Sequence, residues 1–338
     1  MKAIVLGSGA WGTALSLLLL RNGHQVTLWS HDPDKAAQLR QTRENPRLTG
    51  VMLPEELEIT GDLAAAEAAS FCVFAAPSYA VRDIAFRAAP HLQSGALLVS
   101  VAKGVERDTH LRMSQLLLAA AGEDHPVAVL SGPSHAEEVA RRMPTGCIAA
   151  ARDRETALAV QSAFMNQDFR VYTNPDVVGV ELCGAVKNVV ALGCGIADGL
   201  GFGDNAKALL ITRAMSEAAS LCIQSGGLRE TCAGLAGIGD LIVTCTSRHS
   251  RNRRAGVLIG QGTPVNKALR DVNAVVEGYY AAESIRELAE TLGVSMPICH
   301  SIYGVLYQSL APAEAMRSLM DRDPRSEFTG LRWENDAD

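Results

Sequence analysis

The chain contains 338 residues, more than one hydrophobic core normally holds, so its length predicts two domains. Hydrophobic residues make up 48% of the sequence and charged residues 20%, which excludes a disordered or low-complexity protein. The net charge is −6, from 31 Lys and Arg against 37 Asp and Glu. This balance argues against a nucleic-acid binder that depends on an overall positive field, so no nucleic-acid partner is expected.

The first half of the chain alternates strand-like and helix-like segments. Lys2–Leu6 and Gln25–Trp29 are predicted strands, and residues 11–22 between them are predicted to form a helix that ends at Gly23. Further strands are predicted at 71–75, 96–100, 127–130, 147–151 and 169–172, with helical stretches at 62–69 and 111–121. Such alternation is typical of a doubly wound parallel sheet with helices on both faces.

The pattern changes at Asn174-Pro175. Strand-like runs almost vanish there, and long Ala- and Leu-rich segments follow at 177–197, 206–224, 278–292 and 297–309. We therefore predict an α/β domain over residues 1–175, an all-α domain over 176–330 and a polar tail over 331–338.

Cysteines and apolar runs bear on compartment. The chain has eight cysteines, no two of them at the CxxC spacing of a zinc or redox site, so we expect reduced thiols, no bound metal and a cytoplasmic location. The apolar run at 14–20 is too short to span a bilayer and leads directly into another strand. A buried helix, and no membrane insertion, is expected.

A glycine-rich loop joins the first strand to the first helix. Gly7, Gly9 and Gly12 match G-x-G-x-x-G, in which the glycines permit a tight turn, close approach of backbone to a pyrophosphate, and packing of helix on strand. The context favours dinucleotide binding over a simple packing turn. It predicts a Rossmann-type N-terminal domain.

The end of the second strand bears on the choice of cofactor. NAD-binding folds usually place an acidic side chain there to bind the ribose hydroxyls. Here Ser30 and His31 precede Asp32, and Asp32-Pro33 is typical of a helix start. We therefore expect Ser30 and His31 to lie where a 2′-phosphate would bind and NADP(H) to be accepted. NAD(H) use stays open, as does a surface-loop role for His31.

Two more predicted strands end in polar residues. Lys103 follows the strand at 96–100, and Gly132 and Ser134 follow the strand at 127–130. Because ligands of open α/β sheets bind beyond the carboxyl ends of the strands, we expect these residues at the cofactor and substrate. Ser134 is also a candidate cap for a helix starting at His135.

Lys187 interrupts an otherwise apolar predicted helix. A lysine is rarely buried without a partner, and Cys183, Gly184, Ala191 and Cys194 at helical spacing around it are small. We interpret this strip as a concave, ligand-facing surface. The alternative is a structural lysine that extends its amine to solvent.

Four arginines fall within residues 248–254, interleaved with Ser, His and Asn. In an acidic protein this cluster is typical of a receptor for a small dianion such as phosphate. A solvated basic face is the alternative.

Taken with further motifs, these residues resemble the bacterial-type NAD(P)-dependent sn-glycerol-3-phosphate dehydrogenases. The resemblance spans nearly the whole chain, in seven motifs in the family's order, at residues 7–14, 102–104, 131–134, 184–188, 237–241, 250–254 and 275–279. It implies a Rossmann domain with a helical domain, usually dimeric, that interconverts dihydroxyacetone phosphate and sn-glycerol 3-phosphate for glycerophospholipid synthesis.

The resemblance also implies roles for individual residues. Lys187 would be the proton donor or acceptor, and Lys103 would touch both cofactor and substrate. The other substrate contacts would be Asp240, Ser250, Arg251 and Asn252. The cofactor would be lined by Ala10, Trp11, His31, Ala136, Arg251, Val275 and Glu277.

Two other functions remain open at this point. One is a dehydrogenase of the same two-domain plan that acts on a β-hydroxyacid such as 6-phosphogluconate. The other is a non-catalytic protein that binds NADP(H), which would need the glycine loop but not Lys187.

Overall fold

The computed structural model describes residues 1–324 and 326–327 of the chain. The predicted polar tail at 331–338 therefore lies outside the described residues. Eight strands form one sheet: β1 Lys2–Leu6, β2 Gln25–Trp29, β3 Glu58–Thr60, β4 Phe71–Phe74, β5 Leu97–Ser100, β6 Val127–Ser131, β7 Thr145–Ala151 and β8 Phe169–Asn174. The three-residue strand β3 was not predicted, and residues 63–68 of the predicted helix at 62–69 form a 3₁₀ helix.

Helices separate these strands and then make up the rest of the described chain. Those of the first half are α1 Ala10–Arg21, α2 Pro33–Thr42, α3 Val81–Ala88, α4 Met113–Ala121, α5 Ala136–Ala140 and α6 Arg154–Phe164. Those of the second half are α7 Val177–Gly199, α8 Asp204–Gln224, α9 Arg229–Cys232, α10 Asp240–Thr246, α11 Arg251–Gly260, α12 Val265–Asp271, α13 Glu277–Thr291, α14 Pro297–Tyr307 and α15 Pro312–Met320. The predicted fold class, a doubly wound α/β part followed by an all-α part, is confirmed.

The sheet has the order β3-β2-β1-β4-β5-β6-β7-β8, and every neighbouring pair is parallel except β6 with β7. The prediction of a parallel sheet is wrong for that one pair. The segment between these strands contains only the five-residue helix α5, which is about 7 Å long and does not carry the chain back along β6 as a parallel crossover must.

Helices cover both faces of the sheet because successive strand residues point to opposite sides. Ala3 and Val5 of β1 pack in a core with α1, α5 and α6, whereas Ile4 and Leu6 pack in a second core with α3 and α4.

Helix α7 is the centre of the helical half and is buried from Gly179 to Ala197. It is long and apolar enough to cross a membrane, but 83% of its most apolar window is buried, as is typical of a core helix. Helix α11 crosses it closely, because a Cβ on Gly195 would lie 2.1 Å from the carbonyl oxygen of Arg253. This contact fixes the position of α11 against α7.

Candidate active site

A buried carboxylate joins two lysines from the two halves of the chain. Lys103 follows β5, Lys187 lies in the middle of α7, and Asp240 is the first residue of α10. The Asp240 Oδ2 atom accepts a hydrogen bond from Lys103 Nζ at 2.5 Å, and Oδ1 accepts one from Lys187 Nζ at 3.0 Å. The structure thus brings together three residues that are far apart in sequence.

Burial makes this group electrostatically unusual. Asp240 is 1% exposed and Lys187 is 9% exposed. Burial lowers the pKa of Lys187 to about 8; Asp240 opposes the shift and Lys103 adds to it. Burial disfavours the charged form of Asp240, but the two lysines outweigh it and hold the pKa of this carboxyl below its usual value. Lys187 is therefore an amine that both gains and loses a proton near neutral pH.

Thr244 was missed by the sequence analysis. Its Oγ1 accepts a hydrogen bond from Lys187 Nζ at 2.8 Å and donates one to the carbonyl oxygen of Asp240 at 2.6 Å. Thr244 stands four residues after Asp240 on α10, so helical spacing was a signal that could have placed the two side chains on one face. Together they fix the direction of the Lys187 amine.

The prediction that the strip of small residues around Lys187 is a ligand-facing surface is wrong. Cys183, Ala191 and Cys194 are at most 2% exposed and pack in the core of the helical half. They are small because neighbouring helices approach α7 closely. Gly184 alone lies beside the site, where an added Cβ would contact Lys103 Cγ at 3.5 Å.

Gly132 contributes its backbone to the site. It follows β6 with φ +146°, and its carbonyl oxygen accepts a hydrogen bond from Lys103 Nζ at 2.9 Å. Ser134 Oγ donates to the same oxygen at 2.9 Å. The predicted capping role of Ser134 is wrong, because α5 begins at Ala136 and His135 occupies the capping position.

A network of side-chain amide hydrogen bonds connects the backbone at Lys103 to the helices of the second half. Asn188 Nδ2 donates to the carbonyl oxygen of Lys103 at 3.0 Å, and Asn252 Nδ2 donates to Asn188 Oδ1 at 2.8 Å. Asn252 Oδ1 accepts from the backbone amide of Gly278 at 2.9 Å. The Asn252 side chain therefore ties α7, α11 and α13 together. Asn188 was not among the predicted site residues.

The arginine cluster divides into separate roles. Arg253 binds Asp198 at 2.6 Å, whereas Arg248, Arg251 and Arg254 are exposed. Arg251 is the first residue of α11, and Ser250 caps that helix by accepting a hydrogen bond from the backbone amide of Arg253. The interpretation of all four arginines as one dianion receptor is wrong for Arg253.

Arg251 interacts electrostatically with a carboxylate of α13. Its charge acts on Glu277, the first residue of α13. Burial raises the pKa of Glu277, and the hydrogen bonds from Ser78 and the charges of Arg251 and Lys187 oppose that shift. Glu277 accepts bonds from the Ser78 hydroxyl at 2.5 Å and from its backbone amide at 3.1 Å, and Val275 lies half-buried just before it. The contact joins α13 to the loop after β4.

The glycine loop has the geometry that its motif predicts. Gly7 has φ +136°, and a Cβ on Gly7 would lie 2.6 Å from the carbonyl oxygen of Ala75. A Cβ on Gly12 would lie 1.9 Å from the carbonyl oxygen of Gly7. A Cβ on Gly9 would meet nothing within 4 Å. Gly7 and Gly12 thus serve packing, while Gly9 borders open space at the amino end of α1.

Residues around this loop differ in exposure. Ala10 and Trp11, which open α1, are half-buried, and Ala136 of α5 is buried. Ser30 is fully buried and accepts a hydrogen bond from Ser8 Oγ at 2.9 Å, so the prediction that its hydroxyl faces a 2′-phosphate is wrong. His31 is exposed, and Asp32 caps α2 as predicted, accepting from the amides of Asp34 and Lys35.

Lys35, like Thr244 and Asn188, was missed by the sequence analysis. Its Nζ donates to the carbonyl oxygen of Ser8 at 2.8 Å. Burial and the nearby charge of Arg47 lower its pKa. This places a lysine amine directly beside the glycine loop.

Known proteins resemble this chain over both of its halves. Residues 2–157 match the family model of the NAD-dependent glycerol-3-phosphate dehydrogenase N-terminus, and residues 176–317 match that of the C-terminus. The glycerol-3-phosphate dehydrogenase (NAD(P)+) of Pelotomaculum thermopropionicum is 51% identical over 331 residues, which cover 97% of this chain and 95% of the relative. Its counterpart in Fusobacterium nucleatum is 47% identical over 331 residues, covering 97% and 99%.

A solved structure is also similar. The crystal structure of glycerol-3-phosphate dehydrogenase from Coxiella burnetii superposes with a TM-score of 0.92 at 36% identity. The match covers 95% of this chain and 99% of that one. Similarity of fold and sequence therefore extends across both the sheet and the helical half.

Proposed function

We infer the function from one premise: this chain belongs to the NAD-dependent glycerol-3-phosphate dehydrogenase family. It is an oxidoreductase that interconverts dihydroxyacetone phosphate and sn-glycerol 3-phosphate with NAD(P)(H), and its product serves glycerophospholipid synthesis. The observation that carries the chemistry is the buried Lys187 amine, held by Asp240 and Thr244 beside the carboxyl edge of the sheet.

The residues present fit a dinucleotide. The open space in front of Gly9 and the free amides at the start of α1 suit a pyrophosphate, and the α1 dipole favours its negative charge. Gly9, Ala10 and Trp11 would hold this part of the cofactor, and Gly7 and Gly12 would shape the turn that presents them. When bound, the nicotinamide supplies or accepts the hydride at the substrate carbon. Lys103 and Ala136 of the sheet half, and Arg251, Val275 and Glu277 of the helical half, would line the same cofactor.

Lys187 is proposed as the proton donor in reduction and the acceptor in oxidation. The alkoxide that develops on the substrate carbonyl oxygen needs an acid at that oxygen, and an amine with a pKa near 8 is matched to this task. Asp240 accepts from two lysines, so it orients both amines and compensates their charge. Lys103 is proposed to bind the substrate as a second cation.

Arg251 is proposed to bind the substrate phosphate. It is exposed at the amino end of the ten-residue helix α11, where the helix dipole adds to its charge. Ser250 and the Gly132–Ser134 segment complete the proposed substrate contacts. The resemblance implies that Asn252 contacts the substrate, but its Nδ2 and Oδ1 each bond to another protein group, so we propose instead that it positions α11.

The reaction is tested by oxidation of NADPH and NADH in the presence of dihydroxyacetone phosphate. We expect turnover with both cofactors. As controls, 6-phosphogluconate offered with NADP+ and unphosphorylated dihydroxyacetone offered with NADPH should react far more slowly. Turnover of 6-phosphogluconate at a comparable rate would favour the β-hydroxyacid alternative, and absence of any turnover would favour a non-catalytic binding protein.

The pKa of Lys187 predicts opposite pH profiles for the two directions. Reduction needs the protonated amine, which is present below about pH 8, so kcat/KM for dihydroxyacetone phosphate should fall as pH rises through that value. Oxidation needs the neutral amine, so kcat/KM for glycerol 3-phosphate should rise over the same interval and then level off. Initial rates in both directions check this. Parallel profiles would contradict a single group that carries the proton both ways.

Gly9 provides a test of the cofactor site that leaves the fold intact. A Cβ at Gly9 meets no protein atom within 4 Å, so Gly9→Ala should leave the Tm nearly unchanged. Because the methyl group would occupy space needed by the pyrophosphate, we expect the Kd of both cofactors to rise at least about 10-fold. Calorimetry and fluorescence titration measure the two effects. Unchanged cofactor affinity would show that the pyrophosphate lies elsewhere.

His31 tests where the ribose phosphate binds. The side chain is exposed beyond β2, on the side where NAD enzymes carry an acid. His31→Asp should weaken NADPH binding by about 10-fold or more and NADH binding much less, because the new carboxylate would face a phosphate dianion. The ratio of kcat/KM for the two cofactors is the measurement. His31→Asn is the uncharged control, and equal losses with both cofactors would show that the strand end is misassigned.

The broader assignments follow from the family. The substrate is a small phosphorylated three-carbon compound, and a homodimer in the cytoplasm is proposed for this chain. Sedimentation of the purified enzyme tests whether it is a dimer. A monomeric species with full activity would show that activity does not require the dimer.

A further inference from the structure

Three cysteines converge in the core of the helical half, and the first of them lies one turn before Lys187 on α7. Cys183 lies on α7, Cys222 on α8 and Cys232 on α9, and each is at most 2% exposed. The Sγ atom of Cys183 lies 3.3 Å from that of Cys232 and 3.8 Å from that of Cys222. All three Sγ atoms lie within 4.8 Å of one another. We call these residues the thiol triad.

The spacing of these sulfur atoms matches that of a metal-thiolate centre. With metal–sulfur bonds of about 2.3 Å, the sulfur atoms of a trigonal site lie about 4.0 Å apart and those of a tetrahedral site about 3.8 Å apart. The Cys183–Cys222 distance of 3.8 Å equals the tetrahedral value, the Cys183–Cys232 distance of 3.3 Å is shorter, and the third pair lies within 4.8 Å. To reach either geometry, the Cys183 and Cys232 side chains would have to move apart by about 0.5 Å or more.

The donor set points to a soft cation. Asp176 is the nearby carboxylate, but its oxygens already accept hydrogen bonds from the amides of Gly179 and Leu228 and from Thr231 Oγ1. The triad therefore offers three sulfur atoms and no oxygen ligand from that carboxylate. Thiolates select ions such as Zn²⁺ and Cu⁺ over Mg²⁺ or Ca²⁺, which prefer oxygen.

The residues next to the triad extend to the boundary between the sheet and the helical half. A surface pocket there is lined by Asp176, Val178 and Leu228. Asp176 bonds directly to Thr231, the residue before Cys232. Asp176 and Thr231 thus connect the pocket to Cys232, but none of the three buried cysteines lines it, so an ion reaches the triad only when the helix packing opens locally.

We propose that the thiol triad binds one thiophilic metal ion per chain. Binding forms three metal–sulfur bonds and breaks three S–H bonds, whose protons pass to solvent; no atom is oxidised or reduced. The expectation of no metal site rested on the absence of closely spaced cysteines in the sequence. These three cysteines are 39 and 10 residues apart along the chain, as their positions 183, 222 and 232 show, and the packing of α7, α8 and α9 brings them together.

The test uses the full-length, fully reduced enzyme and Cd²⁺ as a spectroscopic probe, with Zn²⁺ and Cu⁺ as competitors. We expect one Cd²⁺ per chain, with a thiolate-to-metal charge-transfer absorption. Zn²⁺ or Cu⁺ should displace the probe, while Mg²⁺ should not. The ion should also raise the Tm, because it binds the folded state.

Matched variants connect the signal to the triad. Cys222→Ala and Cys232→Ala should each lower the affinity for Cd²⁺ at least about 100-fold and abolish the rise in Tm. Cys72→Ala, which removes a buried thiol of β4, should bind as the unaltered protein does. Cys232→Ser, which keeps the side-chain volume, replaces Cys232→Ala if that variant does not fold.

Two outcomes would overturn the proposal. One is the absence of saturable binding by the reduced enzyme, including the case in which the only reactivity found is formation of a Cys183–Cys232 disulfide. The other is equal binding by Cys232→Ser and Cys72→Ala, which would place the ion elsewhere. Because the readouts are stoichiometry and Tm, neither outcome depends on turnover or on the proposed reaction.

Discussion

Replacement of Lys187 by alanine is expected to lower kcat for reduction of dihydroxyacetone phosphate by about 10²-fold or more, with little change in cofactor affinity. The amine donates its proton to the developing alkoxide, so its loss raises the energy of the transition state far more than that of the bound cofactor. Steady-state kinetics and a separate cofactor titration give the two quantities. Near-normal turnover would refute the assignment of Lys187 as the proton donor.

The environment of Lys187 requires two controls. Removal of the amine leaves Asp240 paired with Lys103 alone, so part of the loss could come from a changed position of Lys103. Thr244→Val removes a hydrogen-bond partner of Lys187 but keeps the amine. It should lower kcat by less than Lys187→Ala does and should displace the pH profile without abolishing it. Lys267→Ala, at an exposed lysine of α12, should have no effect on kcat.

Replacement of Arg251 by alanine is expected to lower kcat/KM for dihydroxyacetone phosphate by roughly 10²- to 10³-fold, with a higher KM and a lower kcat. A guanidinium binds phosphate through two parallel hydrogen bonds, and loss of such a charged pair costs about 3 to 4 kcal/mol. Binding of the remote phosphate also orients the carbonyl group, which is why kcat should fall. Arg251→Lys should give an intermediate loss, because an ammonium group is a point charge.

The chain offers a matched control for this variant on the same helix. Arg254 is exposed like Arg251 but lies three residues further along α11, so Arg254→Ala should change kcat/KM little. Unphosphorylated dihydroxyacetone completes a double-mutant cycle: it should lose much less than the phosphorylated substrate when Arg251 is removed. Equal losses with both substrates would show that Arg251 serves the cofactor or the fold instead.

Much of the fold was predictable because its signals are local. The two strands that flank the glycine loop were predicted with the bounds found, as was the helical nature of the second half. These signals are the periodicity of apolar residues, glycine at turns and the Asp32-Pro33 cap. Each acts within a few residues of chain, so it can be recognised in the sequence without knowledge of tertiary contacts. The antiparallel pairing of β6 with β7 was not predicted, since it follows from the short connection through α5, whose length the sequence pattern did not define.

The sequence by itself determined which residue types are available for chemistry. Lys187 stood out because an amine in an apolar helix needs a partner, and Gly7, Gly9 and Gly12 stood out by their spacing between a strand and a helix. These inferences rest on the cost of burying a charge and on the steric freedom of glycine, which apply in any fold.

Only the tertiary structure decided which groups meet. It made Asp240 the common partner of Lys103 and Lys187, committed Asn252 to α7 and α13, paired Arg253 with Asp198, and buried the small residues beside Lys187 in a helix interface. It also brought the thiol triad together from three helices. Hydrogen bonds and metal–sulfur bonds act over about 2 to 3 Å, whereas the sequence gives no distance between residues that are tens of positions apart until helices and strands have packed.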